Sequence, residues 1–325
     1  MGKLTSWLLV EESKEGVIPA LDKFIIFLLK IIYLALRFSL RLILGRKKRD
    51  KLYYERNIHF NSYIYPSFTL FQLFYKCIRF LRLGNPNFLK ISVPKYDYKY
   101  YCRISSKSDF TPRREEGIIE KFCPKEGDTV IDIGAHIGHY TIISSKRVGP
   151  NGKVVAIEAH PDNFKMLVRN IELNKLTNVM ALNSTVYSQQ QSKIKLYVPG
   201  EGSGFTTYNT INSKRDKIDE KFVEVNAHTL DYLLYLKGIS EEKEVNWIKI
   251  DVEGAEFEVL KGARNVLSKN KDIAILIEIH NLHGDDGSSS TNLYEPIIKF
   301  LSSYNFKIEF EKTYESGEKH IIVRK

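Results

Sequence analysis

Residues 129–133, Thr-Val-Ile-Asp-Ile, form a short apolar and β-branched run that opens directly into Gly134-Ala-His-Ile-Gly138. Gly127-Asp128 bounds the run upstream. This pattern suits a strand buried on both faces of a parallel sheet. The glycines suit a turn in which backbone N–H groups and a helix start approach a ligand closely. A second run, Lys153 to Glu158, ends on an acid about twenty positions beyond the glycines. A carboxylate there can accept hydrogen bonds from both hydroxyls of a ribose, which implies an adenosine ligand.

Two cofactor classes use this pairing, the dinucleotides and S-adenosylmethionine. A dinucleotide site wants Gly-x-Gly-x-x-Gly so that the pyrophosphate can sit on the helix N-terminus. Here the pattern is Asp132-x-Gly134-x-x-x-Gly138. S-adenosylmethionine carries an ammonium and a sulfonium in place of a pyrophosphate, so Asp132 at the strand end is attractive to it. The residues assigned to the cofactor are Asp132, Gly134, Ala135, Gly138, Glu158 and Asn183. His136 and His139 read as loop residues flanking its methionine end.

The blocks at 130–141, Ala156-Ile-Glu158, Asn170-Ile-Glu-Leu-Asn174, Lys249-Ile-Asp-Val-Glu-Gly-Ala-Glu256 and Val259-Leu-Lys-Gly-Ala263 occur in this order. Over about residues 110 to 283 the chain resembles the FkbM-type S-adenosylmethionine-dependent methyltransferases. The resemblance implies a class I methyltransferase fold: a Rossmann-like α/β architecture with a mostly parallel sheet and helices on both faces. It also implies, as is usual in that family, transfer to a hydroxyl oxygen of a sugar or natural product, and the acceptor expected here is a sugar, glycan or glycolipid hydroxyl. One departure is visible, since Ala159-His160-Pro161 follows Glu158 where the family more often has proline directly after the acid.

Asp251 and Glu253 follow the fourth core strand, which in such a fold ends close to the transferable methyl group. An acid there can orient or deprotonate an acceptor hydroxyl, or hold a divalent metal that does so. Glu253 is equally placed to cap the next helix. Glu278 and His280 end the fifth strand on one side, and His280 is a candidate general base. The catalytic assignment is therefore Asp251, Glu253 and His280, and no metal ligands are assigned. Glu256 and Glu258 read as an ordinary solvated or capping pair. Ser203 and Gly204 lie in a hydroxyl-rich loop, either over the site or a plain hairpin turn. Residues 284–290 form a lid or a simple crossing.

Charge separates the chain into two parts. The first hundred residues carry 18 Lys+Arg against 7 Asp+Glu, a net of +11, and the remainder carries 49 − 18 = 31 against 39 − 7 = 32, a net of −1. A core without net positive charge disfavours a nucleic-acid partner. Residues 1–95 are read as a basic and apolar helical extension and 96–325 as the methyltransferase domain. Between Phe24 and Leu44 the chain is mostly apolar, Lys23, Lys30, Arg37 and Arg41 share one helical face, and Arg46-Lys-Lys-Arg49 follows. This suits a helix lying in the plane of an anionic membrane. Docking on protein and a true span are the alternatives. No secretory cleavage pattern follows Met1–Ala20, and the three cysteines include no Cys-x-x-Cys pair, so neither a disulfide framework nor a thiolate metal site is expected. The catalytic part is expected in a reducing compartment, peripheral on the cytoplasmic membrane face. A nicotinamide-dependent oxidoreductase and a non-catalytic adaptor are the competing readings.

Elements expected from pattern are a helix over 67–83, a strand or hairpin at 96–104, and a helix over 113–122. Strands are expected at 129–133, 153–158 and 179–183, with helices after Gly138 and over 162–173. An antiparallel insertion pairs 193–198 with 222–226. A strand at 247–251, a helix over 255–267 and a strand at 273–279 follow. A helix over 293–301 and strands at 305–311 and 319–324 complete a βαβ series with an antiparallel end.

Overall fold

The computed structural model describes residues 88–93, 96–103, 116–197, 222–239, 245–280, 282–283, 290–314 and 317–325. The expected arm at 22–49, the helix at 67–83, and the loops at Ser203-Gly204 and 284–289 lie outside the described residues. Among the described residues no helix is long and apolar enough to cross a membrane.

Among the described residues a hairpin comes first, β1 (Phe88–Val93) paired antiparallel with β2 (Tyr98–Arg103). Next come α1 (Glu116–Lys121), β3 (Thr129–Ile133), α2 (His139–Val148), β4 (Lys153–Glu158), α3 (Pro161–Leu173) and β5 (Val179–Asn183). Three strands form a small separate sheet: β6 (Thr185–Val186), β7 (Gln191–Tyr197) and β8 (Phe222–His228). Then follow α4 (Leu230–Leu236), β9 (Trp247–Ile250), α5 (Glu256–Lys261), α6 (Arg264–Lys269) and β10 (Ala274–Ile279). A short pair, β11 (Leu282–His283) with β12 (Ser290–Thr291), precedes α7 (Tyr294–Ser302), β13 (Lys307–Thr313) and β14 (Lys319–Arg324).

The main sheet runs β13-β14-β10-β9-β3-β4-β5. Strands β3, β4, β5, β9 and β10 are mutually parallel, and β14 is antiparallel to both of its neighbours. Because side chains alternate across a strand, each central strand feeds two cores. Ile131, Ile133, Ile248, Ile250, Ile275 and Ile277 pack on one face with α4 to α7. Val130, Val154, Trp247, Ala274 and Leu276 pack on the other with α1, α2 and the hairpin. Burying each such aliphatic side chain contributes about 1.5–3 kcal/mol. Both Asp132 and Lys249 fall in register on the second face.

The single helix expected over 255–267 is two. At Gly262 a side-chain carbon would overlap the carbonyl of Tyr187, so the chain presses onto the insertion sheet there. The second helix starts afresh under Asp231 of α4, whose carboxylate accepts from the N–H groups of Asn265 and Val266. A capping acid thirty-odd residues away in sequence leaves no local signature. Helix α4 itself, absent from the sequence reading, begins at Thr229, whose Oγ1 accepts from the N–H of Tyr232.

Candidate active site

The cofactor loop connects β3 to α2. Gly134 and Gly138 both have positive φ, 76° and 99°, which non-glycine residues rarely adopt. The N–H groups of Gly134 and Ala135 are spent on the Ile157 carbonyl at 2.9 and 3.0 Å. A side chain at Gly134 would overlap the Asp251 carbonyl. Glycine is thus required at 134 by the close approach of two loops of the protein itself, where the sequence reading had it for approach to a ligand. Gly138 starts α2 with no side-chain cap and packs against Leu167.

Glu158 closes β4 and is 6% exposed. Its carboxylate accepts from the N–H groups of His136 and His160, both at 2.8 Å, and from Asn163 Nδ2 at 3.4 Å. An ionised carboxylate has about four acceptor positions, so capacity remains for a hydroxyl. Burial pushes its carboxyl above the ordinary range, and the two backbone N–H groups pull it back. Asn183 donates to the carbonyls of Glu158 and Ala159 at 2.8 and 3.0 Å, so its amide braces the end of β4.

The β1–β2 hairpin buttresses this loop, a role the sequence reading missed. Arg103 donates to Asn163 Oδ1 at 2.7 Å and lies 3.1 Å from His136 Nε2. Tyr98 Oη is 3.0 Å from His139 Nδ1, and Tyr100 meets the same ring edge-on with centroids 4.3 Å apart. Asn170 joins the two parts, its Nδ2 reaching the carbonyls of Ile137 and Tyr101. His136 and His139 are therefore engaged from the hairpin side.

Asp132 is fully buried. Its Oδ2 accepts from Thr141 Oγ1 of α2 at 2.6 Å, and Lys249 Nζ stands 3.7 Å from Oδ1. Burial raises the Asp132 carboxyl above the usual carboxylate range, with Lys249 and the Thr141 hydroxyl opposing. Lys249 also donates to the Gly134 carbonyl at 3.1 Å and to Asp251 Oδ2 at 3.2 Å, with its ammonium 5.3 Å from the Tyr140 ring centre. One buried lysine thus ties both strand ends together. Its signal was a cation inside the four-residue strand Trp-Ile-Lys-Ile, a position tolerated only with partners.

Beyond β9 and β10 the three residues assigned to catalysis converge. Donor atoms of Asp251, Glu253 and His280 all lie within 4.8 Å of one another. His280 is 1% exposed, whereas the side chains of Asp251 and Glu253 are 27% and 17% exposed. His280 Nε2 is 3.2 Å from Glu253 Oε2 and 3.7 Å from Glu278 Oε1, and Nδ1 is 2.7 Å from Glu256 Oε1. Glu256 is fully buried and also accepts from the Gly254 N–H at 2.8 Å. Reading it as a solvated or capping acid is therefore corrected: it holds the histidine ring. Glu258 pairs with Lys261 on its own helix. On the far side, His320 Nε2 of β14 lies 3.1 Å from Glu278 Oε2. Glu253 has φ of 56°, a sparsely populated conformation for a residue with a side chain.

A sheet of order 3-2-1-4-5-7-6 with one antiparallel strand, a glycine turn after the first strand and an acid ending the second define a class I S-adenosylmethionine-dependent methyltransferase. Residues 132–308 match the methyltransferase FkbM domain. The chain belongs to that family. Methyltransferase 1 of Beauveria bassiana is 26% identical over 214 residues, 61% of this chain and 84% of that protein. A tRNA (guanine(37)-N(1))-methyltransferase of Pediculus humanus is 31% identical over 179 residues, 52% of this chain and 34% of its own length. The hexuronic acid methyltransferase AglP of Haloferax volcanii is 28% identical over 170 residues, 52% of this chain and 63% of its own length.

Proposed function

We propose that the chain methylates a hydroxyl oxygen of a sugar, glycan or glycolipid at the Asp251, Glu253 and His280 cluster. The observation that carries this reading is the convergence of those side chains beside the loop that presses on Gly134. When bound, S-adenosylmethionine supplies a methyl carbon whose bond to sulfur breaks as the acceptor oxygen attacks, the electron pair remaining on sulfur. Glu158 takes the ribose, since it retains acceptor capacity at the end of β4. Asp251 orients the acceptor hydroxyl, and Glu253, backed by His280, receives its proton. The near-neutral core supports a glycan acceptor over a nucleic acid; relatives named for both acceptor classes stand at similar identity, so the choice between them rests on charge. The test is incubation with methyl-labelled S-adenosylmethionine and either glycan, glycolipid or tRNA acceptors. Label recovered as a sugar methyl ether is expected; label confined to tRNA would overturn the acceptor.

Glu158→Gln is expected to weaken S-adenosylhomocysteine binding, read by calorimetry. The sign with pH follows from burial, which lets the folded protein protonate Glu158 at a higher pH than a free glutamate. The ribose hydroxyls need the ionised form as acceptor. Wild-type affinity should therefore fall on acidification through that raised value, and the Gln variant should show a flatter profile. Parallel profiles would remove Glu158 from the ribose site.

Residues 22–49 serve, in the same proposal, to attach the enzyme as an in-plane helix to the anionic cytoplasmic face of a membrane. Each cation near such a surface contributes about 1 kcal/mol, and the apolar face adds to it. Flotation with anionic but not neutral liposomes, lost on deleting residues 1–50, is the expected outcome. Equal recovery with both lipids would argue for a span, and no flotation for docking on protein.

A further inference from the structure

We infer that Asp251, Glu253 and His280 form a binding site for a divalent cation of the Mn2+ or Mg2+ kind, by which the cluster activates the acceptor hydroxyl. The inference rests on the proposed site of methyl transfer and adds a ligand to it.

The ring of His280 supplies the reason. Glu256 Oε1 already accepts from the Gly254 N–H, so at 2.7 Å it faces a protonated Nδ1 of His280. In a neutral ring this turns the Nε2 lone pair toward Glu253 Oε2 at 3.2 Å and Glu278 Oε1 at 3.7 Å. Electron pairs so arranged repel unless something positive lies between them. A proton on Nε2 answers Glu253, and Lys249 answers Asp251 only at Oδ2, whereas one cation answers all three donors together, which lie within 4.8 Å of one another.

Charge points the same way. Asp251, Glu253, Glu256 and Glu278 bring four carboxylates to this corner, set against the Lys249 ammonium, 3.2 Å from Asp251, and the His320 ring, 3.1 Å from Glu278. Glu256 Oε2 is buried and lacks a hydrogen-bond partner among the described residues, so its charge is poorly compensated behind the ring. A carboxylate on the far nitrogen of a histidine is also what fixes and strengthens that ring as a metal ligand. Two carboxylates and one imidazole favour a hard to borderline cation. The partial exposure of Asp251 and Glu253 leaves the fourth and further positions to water or to the acceptor oxygen. With its oxygen on the cation the hydroxyl gives up its proton more readily, and the proton still passes to Glu253, on the carboxylate oxygen the cation leaves open.

The test uses the full chain stripped with chelator and desalted, titrated with MnCl2 by calorimetry and followed by Mn2+ paramagnetic resonance. One saturable site is expected, weakened at least about tenfold in Asp251→Asn and in Glu253→Gln. These two exposed-side variants are preferred to His280→Gln, whose buried ring matters for folding, and circular dichroism checks that they fold. No saturable Mn2+ or Mg2+ binding by folded wild type up to about 1 mM, or wild-type binding by both variants, overturns the inference. Absence of binding together with methyl transfer undiminished in chelator would overturn the cation alone and leave the proposed reaction standing. Saturable, Asp251-dependent binding without transfer to any hydroxyl would support the cation and overturn the reaction.

Discussion

Replacing Asp251 with Asn is expected to lower kcat by about 10²–10⁴-fold while leaving affinity for S-adenosylhomocysteine unchanged. The substitution is isosteric and lies beyond β9, on the acceptor side of the seam, so the β4 end that holds Glu158 is untouched. Asp251 is partly exposed and stands between Lys249 and the Glu253–His280 pair. Its charge is thus available to a bound hydroxyl in a way that the buried Asp132 is not. Single-turnover assays with labelled cofactor, alongside calorimetry, separate chemistry from binding. Full turnover by a folded Asp251→Asn protein would remove this residue from the mechanism.

Lys249→Met should cost about 3–5 kcal/mol of stability, the usual result of stripping one partner from a buried ion pair. Asp132 would then be a fully buried carboxyl held by Thr141 alone among the partners named above. The deficit depends on pH with a definite sign. Burial already raises the Asp132 carboxyl and Lys249 draws it down. Without the lysine the folded state keeps its proton to higher pH than the unfolded chain does. Stability of the variant is therefore retained at low pH and lost as pH rises through the raised value. Adding Asp132→Asn should recover most of the loss. Urea midpoints across pH measure this, and a Lys249→Met midpoint equal to wild type would show that the pair contributes nothing.

Much of the architecture was legible because its carriers are local. Buried β-branched runs such as Val154-Val-Ala-Ile157 announce strands, and βα alternation with right-handed crossovers restricts their order. The strand-end acids were found because they end such runs. What escaped depends on partners distant in sequence. Asp231 restarts a helix beyond Gly262, Arg103 reaches Asn163 across sixty positions, and Glu256 looks like any first-turn acid until His280 is placed against it. For Asp132 the partner escaped for the same reason. Its position in the strand was right, but only the register of β3 with β9 shows that Lys249 lies beside it.

That register has a kinetic side. Strand β3 pairs with β4, and β4 with β5, nearby in sequence, but β3 meets β9 only across 117 residues, Val130 facing Trp247. Contacts of such separation form late, because the chain between them must first give up its freedom. The carbonyl of Asp251 seats on Gly134, and Lys249 finds Asp132, only at that closure. A folding intermediate holding β3, β4 and β5 would therefore contain Gly134 and Glu158 without Asp251, Glu253 or His280. The proposed site is complete only once β9 has closed on β3 and β10 has brought His280 beside it.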